Sequence, residues 1–231
     1  MSQRFALYIA PPADDSLHAF AAGWLGWDPE TGESPVPAGV AGIPPAQLAA
    51  LTADPRRYGL HGTLKPPFRL AEGCDDGLLI VAVEKFAATR RPLRLPPLQL
   101  AALGNFLALR PSAPAPEIDA LAADCVRAFD RFRAPPSEAE LARRRAAGLS
   151  ARQEANLQAW GYPYVMEDFR LHFTLTGRIT DPAQRDILLR HLEQETRPFT
   201  RKPFAVTELC LFVQPAADAG FRVVGRYPLA G

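Results

Sequence analysis

Cysteine is scarce and scattered in this chain of 231 residues: Cys74, Cys125 and Cys210 make an odd set with no CxxC pair. That excludes a disulfide framework and a thiolate zinc site, and it points to a reduced, cytoplasmic setting. Blocks of like charge are missing too. Lys and Arg number 26 against 25 Asp and Glu, for a formal net charge of +1, with no basic tail and no acidic run. This excludes bulk electrostatic capture of duplex DNA and leaves room only for a local basic cleft. No apolar run approaches the roughly 20 residues of a spanning helix. The opening MSQRFALYIAPP is too short and too soon broken by proline to read as a signal peptide, so no membrane attachment is expected.

What is present fits an ordinary globular protein: 48% apolar and 22% charged residues, in a chain long enough to bury a core. The prolines fall mainly between apolar segments and punctuate loops. RFALYIAP reads as a strand, and DDSLHAFAAGWLG as a helix capped by Asp14 or Asp15. Residues 28–46 read as a loop, and PAQLAALTADPRRYG as a helix stopping before Pro55. A strand near 58–66, stopped by Pro66-Pro67, precedes a helix over 77–90 that ends in basic residues. Two strands around Gly104-Asn105 follow, then helices over EIDALAADCVRAFDRFR and SEAELARRRAAGLSARQEANLQAWG. A strand near 168–179, the helix PAQRDILLRHLEQETRPF and the strands FAVTELCLFVQP and GFRVVGRYPLA close the chain. The order of elements approximately repeats between the halves. That predicts an α+β fold, internally duplicated, with two antiparallel sheets facing each other and helices outside.

Two of the four histidines stand in the same short frame, YGLHGTLKPPF and FRLHFTLTGRI. Side chains two apart on a strand share a face, so His61, Thr63 and Lys65 are expected to project together, and His172, Thr174 and Thr176 likewise. Leu60, Gly62 and Leu64, and in the second frame Leu171, Phe173 and Leu175, fall on the apolar back. Paired imidazoles suit a reaction that moves two protons, one taken from a hydroxyl or water and one given to a leaving oxygen. Threonine hydroxyls donate to an oxyanion and a lysine adds charge, which is what a phosphodiester needs. A single His-x-Thr on a half-buried strand is more often structural; the duplication is what favours chemistry.

The paired frames resemble the His-x-Thr-x signatures of the two-histidine (2H) phosphoesterase superfamily. RYGLHGTLKPPF, GYPYVMEDFRLHFTLTG and the RFALYIAP start are similar to a bacterial branch of uncharacterised proteins placed in phosphonate metabolism because their genes lie in phosphonate operons. The resemblance covers nearly the whole chain. It implies one bilobal, pseudo-twofold domain over residues 1–231, with duplicated antiparallel sheets and outer helices around a central cleft. His61 and His172 match the catalytic histidines, and Thr63 and Thr174 the phosphate-binding hydroxyls. The resemblance also implies that no metal or other cofactor is needed; no third histidine or carboxylate cluster accompanies the motifs. The implied activity is hydrolysis of a small cyclic or linear phosphoester, of the 2′,3′-cyclic nucleotide or ribosyl cyclic phosphate type. The alternative is a non-catalytic module binding a nucleotide or an RNA 3′-end phosphate. A small phosphoester, a nucleotide or an RNA end is therefore the expected partner of a monomer, with no duplex DNA and no membrane.

Other residues are weighed by the same parity. Tyr8 faces away from Phe5, Leu7 and Ile9 and is a candidate lining residue, as is Arg170, which shares the parity of His172, and Thr176. Lys65 is assigned to phosphate binding, and its mismatch with Thr176 implies two chemically unequal halves. ARRRAAG, residues 142–148, reads as a solvated helix face. His18 and His191 read as helix-packing or surface residues, and Asp168 as a loop or strand-start residue.

Overall fold

A computed structural model describes residues 3–231. In chain order the elements are β1 (Arg4–Ile9), α1 (Ser16–Leu25), α2 (Pro45–Arg56), β2 (Gly62–Phe68), α3 (Asp76–Ala88), β3 (Leu93–Leu103), β4 (Phe106–Pro111) and α4 (Pro116–Phe129). Then come α5 (Glu138–Arg145), α6 (Ala151–Trp160), β5 (Phe173–Thr174), α7 (Pro182–Thr196), β6 (Pro203–Val206), β7 (Glu208–Gln214) and β8 (Arg222–Pro228). The fold is α+β, and the strands form one curled eight-stranded sheet in the order β6-β3-β4-β5-β2-β1-β7-β8, with every pair antiparallel. The pseudo-twofold expected from the sequence lies in that order. β2 and β5 sit at the centre, with β1, β7 and β8 extending outward from β2 and β4, β3 and β6 outward from β5. The two expected sheets are therefore halves of one sheet, joined at the single pair Gly62–Phe173.

Alternation along β1 separates two faces. Phe5, Leu7 and Ile9 enter the main core with Leu64, Leu107, Leu109 and Leu211, while Ala6, Tyr8 and Ala10 lie on the other face with Cys210, Phe212 and Phe221. α3 packs on β7 and β8, α7 on β3, and α4 on β2. Their buried residues, such as Leu79 and Val83 of α3 and Leu188 and Leu192 of α7, complete the main core. Each such large apolar side chain, taken fully from water, contributes roughly 1.5–3 kcal/mol. The helix ends follow local chemistry. Asp15, the second of the two expected caps, accepts from Leu17 N–H, and Ser137 and Ser150 form capping boxes with Glu140 and Gln153.

Four elements depart from the sequence reading. α2 runs through Pro55 rather than stopping before it. Proline has no N–H to give the Leu51 carbonyl, and that carbonyl instead accepts from Gly177 N–H, just past the second motif. β2 continues through Pro66-Pro67 to Phe68, and β5 is only two residues long. Thr207 divides the expected strand FAVTELCLFVQP into β6 and β7.

Candidate active site

The Gly62–Phe173 pair sets the geometry of the site. In an antiparallel register, the next pairs outward place His61 opposite Thr174 and Thr63 opposite His172, on the face away from Gly62 and Phe173. A Cβ at Gly62 would lie 2.6 Å from Leu171 Cδ1 and 2.9 Å from Ile9 Cγ1, so any larger residue at this crossing would force those side chains to shift. The pairing therefore gathers two imidazoles and two hydroxyls from frames more than a hundred residues apart.

Both imidazoles are held in the same way. His61 Nδ1 lies 3.0 Å from Gly59 O, and His172 Nδ1 lies 2.8 Å from Arg170 O. A carbonyl only accepts, so each Nδ1 carries the proton and donates it, which leaves each Nε2 to accept or pass a proton. The Tyr8 ring underlies His61, with ring centroids 4.0 Å apart, and Phe106 lies 5.7 Å from the His172 ring. Burial, and secondarily the charge of His172, lower the His61 pKa to about 4, against the raising effect of the Gly59 carbonyl. Tyr8 is fully buried and its pKa is raised well above the usual phenol range, chiefly by that burial, so it remains neutral.

The threonines divide sharply. Thr63 and Thr174 are half-buried, and neither hydroxyl has a hydrogen-bond partner among the described residues. Thr176, by contrast, is fully buried, and its Oγ1 accepts from Leu107 N–H at 2.9 Å. Thr176 lines the cleft as expected, with that oxygen tied to the sheet.

Lys65 is the larger correction. Across from β1, Tyr8 pairs with Thr63 but Leu7 pairs with Lys65, so Leu64 is an extra residue, a β-bulge. The bulge turns Lys65 to the face of Leu7, away from His61 and Thr63. Its ammonium reaches Val126 O at 3.2 Å and Asp130 Oδ1 at 3.3 Å, at the end of α4. In the second frame Leu175 N–H and Thr176 N–H both donate to Leu107 O, and Trp24 Nε1 donates to Leu175 O. Lys65 thus points away from the site, whereas Thr176 stays in the cleft wall near Thr174 with its Oγ1 bound to the sheet.

Burial lowers the Lys65 pKa to about 8, against the raising effect of Asp130. A lysine whose folded pKa lies below its unfolded value binds fewer protons in the native state between those values. Stability therefore rises with pH from about 8 toward 10.5. Lys65→Met is expected to abolish that rise in denaturant melts at stepped pH while leaving turnover at the level of the native protein.

His61, Thr63, Thr174, Thr176 and Tyr8 line a cleft of about 1360 Å³. His172 lines an adjoining cavity of about 250 Å³, which shares Thr63, Pro66 and Tyr162 with the cleft. Arg170 lies at the smaller cavity, but its guanidinium is held by the Glu167 and Phe169 carbonyls. Tyr58 and Tyr162 line the cleft, and Tyr164 the smaller cavity. His18 pairs with Asp28 at 3.2 Å, and Asp168 is held by Arg152 rather than by a histidine. Among the described residues, no group of three or more His, Cys, Asp or Glu is placed to hold a metal ion.

The cleft is far more basic than the chain: seven arginines line it against two carboxylates, Asp54 and Glu140. Arg143 and Arg144, read from the sequence as a solvated face, are among them. Their facing depends on tertiary placement. Arg69 holds Glu140 through bonds of 2.8 and 2.9 Å and so docks α5 on the cleft wall, while Arg145 ties α5 to Glu154 of α6.

Comparison with known proteins gives a family match over residues 63–222, from Thr63 through the whole second frame, to the model described as "Protein of unknown function (DUF1045)". The chain belongs to the DUF1045 family. Two relatives carry the name "Ribose 1,5-bisphosphate phosphokinase PhnN". The protein of Janthinobacterium sp. (strain Marseille) is 39% identical over 232 residues, covering 99% of this chain and 51% of the relative. That of Laribacter hongkongensis (strain HLHK9) is 34% identical over 221 residues, covering 95% and 50%. The DUF1045 chain thus spans about half the length of the curated relatives it matches. It has no Gly-Lys dipeptide and hence no P-loop signature.

Among solved structures, a phosphoesterase matches at TM-score 0.44 and 14% identity, covering 99% of each chain. E. coli LigT complexed with NADP+ matches at TM-score 0.45 and 14% identity, covering 100% of each chain. TT0787 of Thermus thermophilus matches at TM-score 0.43 and 16% identity, covering 99% of this chain and 98% of its own. No helix among the described residues is long and apolar enough to cross a membrane.

Proposed function

We propose that this DUF1045 protein is a metal-independent phosphodiesterase that opens a small cyclic phosphoester, with His61 as general base and His172 as general acid. One observation carries this reading: the Gly62–Phe173 pair gathers both frames, with each imidazole donating Nδ1–H to a carbonyl two residues back and keeping Nε2 for the substrate. His61, neutral above pH 5, takes a proton from water through Nε2. The water oxygen bonds to phosphorus, the bond from phosphorus to one ester oxygen breaks, and His172 gives that oxygen its proton. The hydroxyls of Thr63 and Thr174 donate to the non-bridging oxygens as charge builds on them.

The relatives' name supports a sugar phosphate as substrate. Opening a ribosyl cyclic phosphate leaves a ribose phosphomonoester, the class of compound that a ribose 1,5-bisphosphate phosphokinase consumes. It also supports a place in phosphonate metabolism, as the resemblance implies.

A screen of 2′,3′-cyclic nucleotides and ribosyl 1,2-cyclic phosphate, run in EDTA, tests the proposal. Turnover is expected to survive the chelator. The acid limb of the profile of kcat/KM against pH is expected near pH 4, the value of His61 in the free enzyme, rather than near 6.5. Calorimetric heat with these esters but no product would replace the enzyme with a phosphate-binding module.

A further inference from the structure

The cleft holds more positive charge than one phosphodiester can use. Of its seven arginines, Arg69 and Arg133 are paired with Glu140 and Asp130, and the other five meet no carboxylate among the described residues. Arg4 leans on the Gln214 amide and Arg57 on the Ala217 carbonyl, contacts that leave their charge in place. Arg144 lies over the Tyr162 ring, 4.6 Å from its centroid, while Arg143 and Arg178 have no side-chain partner among the described residues. In a protein of net charge +1, gathering like charges in one concavity raises electrostatic self-energy. An anionic ligand is what offsets it. The scissile phosphodiester carries a single negative charge, and two imidazoles and two hydroxyls already serve it.

We infer that the substrate carries a second phosphate, a phosphomonoester, docked on Arg143 and Arg144 of α5 together with Arg178. This rests on the reading of the His61–His172 site as a phosphodiesterase. α5 is suited to the task because it is fixed before the ligand arrives, by the Arg69–Glu140 pair at one end and Arg145–Glu154 at the other. Guanidinium groups on a fixed element bind phosphate without first having to be ordered.

A single-stranded nucleic acid would also bring several phosphates, but it needs open aromatic faces on which bases stack. Here the tyrosine faces of the cleft are engaged by the protein itself. Tyr58 stacks on Phe221 with centroids 4.8 Å apart, Tyr162 is covered by Arg144, and Tyr8 lies under His61. The geometry therefore favours a small sugar bisphosphate over an RNA strand.

Binding separates this inference from the catalytic one, because it needs no turnover. Titration calorimetry would compare ribose 1,5-bisphosphate with ribose 5-phosphate, first on the full chain as it stands. It would then use Arg143→Ala/Arg144→Ala and, independently, Arg178→Ala, each checked for folding by circular dichroism. Losing one guanidinium from a phosphate is expected to weaken binding roughly tenfold. The bisphosphate should bind the native protein at least about tenfold more tightly than the monophosphate, and the preference should collapse in the variants. An equal affinity for the two sugars, or a preference that both variants retain, would overturn the second site even if cyclic phosphates are hydrolysed. A preference that the arginine variants erase, in a protein that turns over no cyclic phosphate, would keep the second site and remove the phosphodiesterase. Tighter binding of a 5′-phosphorylated oligonucleotide than of the bisphosphate would transfer the site to RNA and overturn the sugar assignment.

Discussion

Replacing His61 and His172 together with alanine is expected to lower kcat on a cyclic phosphate by about 10⁴-fold. Each imidazole alone accounts for about 10²- to 10⁴-fold, the usual worth of a positioned acid or base. The double variant should fall close to the worse single variant, far short of the product of the two. When the proton taken by one group and the proton given by the other belong to one step, losing either stalls that step, and losing the second adds little. His61→Asn sharpens the test. An Asn side-chain amide can donate to Gly59 O much as Nδ1–H does, yet nothing reaches where Nε2 stood. A loss as deep as in His61→Ala would place the effect in proton transfer, since the local hydrogen bond is kept. Stability should be read in parallel, because the alanine variant removes the ring that Tyr8 packs against at 4.0 Å and opens a cavity. A double variant within tenfold of the native kcat would defeat the acid–base assignment.

The sequence made the pairing of the frames legible because both signals are local. His-x-Thr repeats within a few residues, and parity on a strand puts both side chains on one face without knowledge of the partner strand. Tyr8 was legible for the same reason. Parity failed one step later, at Lys65. The cause is an extra leucine, Leu64, which shifts what lies beyond it by one face. A bulge depends on how the facing strand pairs across the ladder, here Leu7 with Lys65 and Tyr8 with Thr63, and no local residue preference marks it. The arginine wall was hidden differently. Three consecutive arginines on a short helix read as solvated until tertiary contacts fix the direction of α5, and those contacts join Arg69 and Glu140, residues 71 apart. Pro55 misled in the opposite sense: a proline near the end of a helix forfeits one hydrogen bond, which the chain reassigns to Gly177.

The threonines give the other large effect. Thr63→Val and Thr174→Val are each expected to lower kcat about 10²-fold on a cyclic phosphate, the usual loss for one donor to a developing oxyanion. Valine keeps the branched shape and the strand preference, so the ladder pairs of Thr63 with Tyr8 and of Thr174 with Ala108 should persist. Since neither hydroxyl serves a protein partner among the described residues, removing either orphans no protein group, and stability should change little. Thr176→Val is the contrasting case. Its Oγ1 is the acceptor for Leu107 N–H, so the same chemical change strands a buried donor and costs about 1–3 kcal/mol of stability. At a temperature where Thr176→Val stays folded, its kcat should match that of the native protein. The same change at three threonines thus separates two roles: function falls while stability holds at Thr63 and Thr174, and the reverse holds at Thr176. If Thr63→Val and Thr174→Val kept full turnover, the phosphate would have to be bound by other donors, and the pairing of each hydroxyl with the opposite imidazole across the Gly62–Phe173 crossing would have no part in the reaction.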